Sequence, residues 1–206
     1  MRAARGWGTA VLAAMAVSGC ATNRSAKAGA AAAPPAIGGS GGERPSRYVD
    51  SSLGFEVSRP GPEWQLDVTG DDGKEGVATP VVLRHAGMGA QVVIQVAPAV
   101  ASPVEFAERL VQGMRGQPGF VTSDPEPVPL SDDAVGFKFS LADRVHGRVA
   151  VRSGTQGRVL MLLGTWPAEA PDAAPAAVDE VFRGVKPIRA ATSATEGIFE
   201  SGLTAR

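Results

Sequence analysis

Few side chains in this 206-residue chain have the type and spacing to do chemistry, and the search for them starts with one thiol. Cys20 is the only cysteine, set in Val17-Ser18-Gly19-Cys20. Without a second thiol there is no disulfide, no CxxC redox pair and no cysteine-based zinc site. The two histidines, His85 and His146, are far apart in sequence, and neither has a carboxylate or second histidine at metal-ligating spacing. His85 falls near the end of one extended run and His146 on the polar side of another. No nucleophile elbow of the G-x-S-x-G kind joins a strand to a helix, and Ser153-Gly154 reads as a hairpin loop. Asp71-Asp72, in GDDG, lacks the D-x-[DN]-x-[DN]-G spacing of a calcium loop and reads as a solvated turn. Asp132-Asp133 reads the same way. No Walker A or dinucleotide fingerprint occurs. The expectation is therefore no catalytic residue, no cofactor and no metal site.

One charged pattern stands out. His146, Arg148 and Arg152 alternate along an extended run, and Lys138 falls on the same face of the preceding one. Strand side chains alternate between faces, so these four form a basic stripe able to meet an anionic lipid, glycan or protein. The same pattern also fits a solvated sheet face or a layer of helix–sheet ion pairs.

The lone cysteine takes its meaning from what precedes it. Arg2 and Arg5 are followed by an apolar or small run from Trp7 to Val17, then Ser18-Gly19. A charged start, a short apolar segment and small residues before a cut site describe a secretory signal. Its eleven apolar or small residues rise about 16 Å as a helix, short of the roughly 30 Å of a bilayer core. VSGC resembles a lipobox, the bacterial lipoprotein signal of an aliphatic residue, a small residue, Gly or Ala, then Cys. The resemblance implies cleavage before Cys20 and a thioether-linked diacylglycerol on it, with palmitate among the acyl chains; two chains make a stable anchor where one is marginal. Residue 21 is Ala rather than Asp, which in that family implies the outer membrane, periplasmic side, where the host has two.

Composition narrows the partners. The chain holds 20 basic and 21 acidic side chains, and the leader has two of the basic ones and no acid. The remainder, 18 against 21, carries a net −3, which does not suggest nucleic acid. Residues 21–46 hold eight Ala, five Gly, three Pro and three Ser, with no apolar periodicity. Such a stretch cannot bury a core; as a flexible coil it spans roughly 25–30 Å. The expected organisation is a signal at 1–19, a lipidated Cys20 with a tether at 20–46, one domain at 47–189 and a loose tail at 190–206.

The domain must position any site. Leu53, Phe55 and Val57 alternate in a first strand that Pro60-Gly61-Pro62 stops, and Trp64 and Leu66 begin a second. Runs at 81–86 and 91–97 read as a hairpin, the second apolar on both faces and therefore central. Ser102-Pro103-Val104-Glu105 is a capping box with Pro at the first helical position, and Ala107, Leu110, Val111 and Met114 follow at helical spacing. A Pro-rich connector at 124–130 leads to strands at 135–141, 145–151 and 158–166, the last two joined by SGTQG. A second helix spans about Ala174–Arg183, with Val178, Val181, Phe182 and Val185 as its stripe and Gly184 and Pro187 closing it. The order β-β-β-β-α-β-β-β-α with short links predicts an α+β fold, an antiparallel β-sheet with helices packed on it.

Tyr48-Val49-Asp50, Gly54-Phe55-Glu56-Val57, Pro60 and Trp64 resemble the opening of the PsbP-like superfamily, and the order of elements over 47–189 is similar to it. The connector at 124–130 is not part of the likeness. The resemblance implies an αβα sandwich and mostly non-catalytic roles: extrinsic photosystem subunits, a Ran-binding import factor and bacterial envelope lipoproteins. It brings no catalytic motif to carry over. The expectation is a membrane-anchored envelope lipoprotein whose domain binds or assembles with an envelope protein partner. The alternatives are a tethered carrier or sensor of a small apolar ligand held between sheet and helices, and a hydrolase with an unrecognised site.

Overall fold

The structure, a computed structural model, describes residues 45–188 apart from 72, 74 and 75. The signal, Cys20, the tether through residue 44 and the tail at 190–206 lie outside the described residues.

The chain opens with a hairpin of β1 (Arg47–Asp50) and β2 (Phe55–Ser58). Asp50 builds the turn. Its carboxylate accepts from the amides of Ser52 and Leu53 (both 2.9 Å), the Ser52 hydroxyl (2.7 Å) and the Tyr48 hydroxyl (2.8 Å). Gly54 ends the turn at φ +74°, and a Cβ there would collide with Thr155 Oγ1, whose hydroxyl donates to the Gly54 carbonyl. Asp50, Tyr48 and Gly54 thus make a turn and its seat.

Six further strands and the first helix follow. These are β3 (Trp64–Val68), β4 (Ala78–His85), β5 (Gln91–Pro98), α1 (Pro103–Arg115), β6 (Phe120–Thr122), β7 (Glu126–Pro127) and β8 (Val135–Leu141). The chain continues through β9 (Val145–Ser153), β10 (Arg158–Pro167), α2 (Ala174–Gly184) and β11 (Val185–Pro187). An eight-stranded antiparallel sheet runs β3-β4-β5-β10-β9-β8-β6, with β7 also paired to β8. As expected, β5, apolar on both faces, is central; β10, also apolar on both faces, lies beside it, with Leu162 opposite Ile94. Leu160, Leu162 and Trp166 of β10 face one side, and Val159, Met161 and Leu163 the other; all are buried.

Two sequence expectations needed revision. The strand at Leu53–Arg59 does not join the large sheet. It forms a separate three-stranded sheet, β1-β2-β11, with Val57 opposite Val185. The Pro60-Gly61-Pro62 break lets the chain change sheets, and Phe55 and Val57 then turn fully inward against the α2 side. The Pro-rich connector also contributes a strand, β7. Proline favours extended backbone and lacks an N–H, which suits an edge; Glu126 pairs with Gly136 there.

A helix packs on each face. In α1, Ser102 Oγ accepts from the Glu105 amide and Glu105 reaches back to the Ser102 amide, the capping box read from sequence. Ala107, Val111 and Met114 are its buried face, and α1 lies along β8 and β9. α2 covers the opposite face with Ala174, Val178, Val181 and Phe182. The core between α2, the small sheet and the large sheet is filled, with Trp64, Phe55, Leu83, Ile94, Leu160 and Leu162 all fully buried.

Candidate functional site

The basic stripe is real as a face and divided as a site. Lys138 sits directly opposite Arg148, and His146 opposite Ser140, on the side of the sheet that α2 covers. Between Arg148 and Arg152 lies Ala150, only 2% exposed and part of the core. Arg152 therefore belongs to a different environment. Burial lowers the pKa of its guanidinium, the Asp133 carboxylate works against that, and its Nε has no hydrogen-bond partner among the described residues. Asp133 is itself held by the Ser131 hydroxyl (2.7 Å) and the Ser153 amide (3.0 Å). His146 lies at the far end of the strand, opposite Trp166 of β10.

Arg148 does meet a partner of opposite charge. The Arg148 guanidinium is ion-paired with Asp179 of α2, both partly exposed. That is the helix–sheet ion pair that the stripe's charge pattern also allowed. One turn further along α2, Arg183 is exposed in the last turn. Lys138, Arg148 and Arg183 together line a cleft of about 300 Å³. The connector supplies one wall, Val128, Pro129 and Leu130, and Phe182 another; Glu126 and Asp179 are its carboxylates. Three cations face two carboxylates there, which leaves one positive charge uncompensated.

The cleft depends on how closely α2 approaches the sheet. Arg148 pairs across β10 with Gly164. A Cβ at Gly164 would collide with Val178 Cγ1 and crowd the Phe182 ring. The missing side chain lets α2 settle against the sheet, which brings Asp179 to Arg148. Arg183 was missed by sequence reading. The available signal was the Asp179, Arg183 spacing of four, which shares a helix face beside the apolar Val178 and Phe182.

The remaining candidates have structural work. His85 Nδ1 accepts from the amides of Gly87 and Met88 (both 3.2 Å), and its ring stands edge-on to Trp64 at 5.2 Å. Asp71 accepts from the Gly73 and Thr79 amides (3.0 and 2.7 Å), closing its loop; Asp72 is outside the described residues. Ser153 begins the β9–β10 hairpin, where the Gly154 amide donates to Arg158 O. Among the described residues, no three His, Asp or Glu side chains gather as a metal site would require. No described helix is long and apolar enough to cross a membrane.

These elements define an α+β domain, mostly antiparallel sheet with two helices. No family model matches the chain, and no curated protein matches it. Among solved structures, the chain is similar to LpqN of Mycobacterium tuberculosis, described as involved in cell envelope biogenesis. The TM-score is 0.44 at 14% identity, over 72% of this chain and 88% of that chain.

Proposed function

We propose that the chain is a bacterial envelope lipoprotein, held at a membrane by acyl chains on Cys20, whose domain binds another component and performs no chemistry. The observation that carries this reading is the three-part signal ending in VSGC, followed by a stretch unable to form a core and then by a packed domain. The antiparallel sheet with a helix on each face also supports a PsbP-like reading of that domain. Ala21 favours the outer membrane, facing the periplasm, in a host with two membranes. The partner is an envelope protein or a small ligand.

The anchor has a direct test. Cys20→Ala should abolish palmitate labelling, leave the precursor unprocessed and shift the protein out of the lipid-anchored fraction. A variant still labelled with palmitate would refute the assignment. Turnover of generic ester substrates lost on His146→Ala would refute the non-catalytic reading. A carrier or sensor of a small ligand is the second reading. Buried side chains pack the core beneath α2, and the lateral cleft at its edge is the observation that favours this second reading.

A further inference from the structure

We infer that the cleft between α2, β8, β9 and the connector takes a small monoanionic amphiphile, a single carboxylate-class charge on a short apolar body. The inference rests on reading the domain as a binding module. Three observations carry it: the charge left over, the preorganised cation and the apolar wall.

Lys138 and Arg148 are direct cross-strand neighbours, an arrangement that is destabilising for like charges. Asp179 pairs with Arg148 and relieves part of the repulsion. No ion pair to Lys138 or Arg183 is found among the described residues. One anion placed among the three would complete the charge balance. Asp179 also fixes the Arg148 guanidinium, and the partial burial of that pair strengthens charge interactions relative to open water. Arg183 offers the planar fork that matches a carboxylate. Glu126, exposed on the same lining, disfavours a second negative charge and so an acidic peptide.

The wall sets the other half of the ligand. Val128, Pro129, Leu130 and Phe182 give the cleft an apolar side that a bare inorganic anion would leave unused. A volume of about 300 Å³ holds on the order of ten groups of water or methylene size, at about 30 Å³ each.

Calorimetric titration of the full chain with sodium decanoate, below micelle formation, tests this. Saturable one-to-one binding is expected, at least tenfold tighter than butyrate, with decyltrimethylammonium not binding. Lys138→Gln with Arg183→Gln should weaken decanoate at least tenfold while the thermal melt is retained, since both residues are exposed. Lys138→Glu with Arg183→Glu should reverse the preference toward decyltrimethylammonium. Decanoate bound equally by wild type and the double Gln variant would overturn the proposal. So would equal binding of the cationic amphiphile, an absence of heat, or engagement only of phosphatidylglycerol vesicles and not of free decanoate. Palmitate labelling of Cys20 and ester turnover, measured on the same preparations, separate this failure from failure of the anchored, non-catalytic reading.

Discussion

Asp50 and Tyr48 show how a residue's surroundings become a measurable property. Burial pushes the Asp50 carboxyl up. Hydrogen bonds from the Ser52 hydroxyl, the Leu53 amide, the Tyr48 hydroxyl and the Ser52 amide outweigh it, holding the group below the usual carboxylate range. A depressed folded pKa contributes stability that is present above the unfolded value, about 3.9, and is lost as pH falls through the folded one. Denaturant unfolding of the wild type should therefore lose more stability between pH 6 and acid than Asp50→Asn does; equal losses would remove Asp50 as a cause. On the other partner, burial first, then the hydrogen bond to Asp50 and its charge, push Tyr48 up to about 12. Here the folded pKa is raised, so the contribution is present below about pH 10 and is lost as pH rises through about 12. The chain has one tyrosine, so an ultraviolet phenolate titration reads Tyr48 alone. Its midpoint should fall toward the ordinary value in Asp50→Asn. An unchanged midpoint would leave burial as the sole cause.

At the scale of elements, the contact of α2 with β10 is the most exposed to test. Gly164→Val places branched atoms where Val178 and Phe182 already sit, and overpacking of this kind costs about 1–3 kcal/mol. The variant should melt earlier. It should also weaken the coupling between Arg148 and Asp179 in a double-mutant cycle, because α2 moves off the sheet. A wild-type melt would mean that α2 is not seated by that glycine. The capping box of α1, the buried stripe Val178, Val181 and Phe182 of α2 and the central place of β5 were readable because their signals are local: a cap, a 3.6 period, a run apolar on both faces. The pairing of β2 with β11 was not. Val57 and Val185 are neighbours in space and far apart in sequence; Val185 follows the helix so closely that it reads as the last member of its apolar stripe, whereas α2 ends at Gly184 and Val185 begins β11. β7 was hidden for a similar reason, since the connector's prolines signal a break and only the edge of β8 makes Glu126-Pro127 a strand.

For the whole molecule, address and activity are written in different ways. The proposed signal is a contiguous stretch, so the anchored reading draws on residues 1–20 alone, and the prediction for Cys20→Ala tests that stretch. The cleft is assembled from β8, β9, the connector and the last turn of α2. Of the four stripe residues, two enter it, because Ala150 packs into the core and separates Arg152, while His146 sits beyond the other end. Alternation on a strand gives a shared face, and only the packing of a helix decides which part of that face remains open.

The hairpin at the start of the domain has a mechanical consequence. Residues that connect toward Cys20 enter the fold at Arg47, at the outer edge of the small sheet and at the open end of its hairpin, where Arg47 pairs with Ser58. If the chain is anchored as proposed, tension along it would meet the bond from the Arg59 amide to Ser46 O first, then the Arg47–Ser58 pair and Tyr48 with Val57, and so peel β1 one rung at a time. β2 remains clasped to β11 on its other side. Such a pull would be spent first on the four residues of β1 at the rim, before it reached the large sheet that lends β8 and β9 to the cleft.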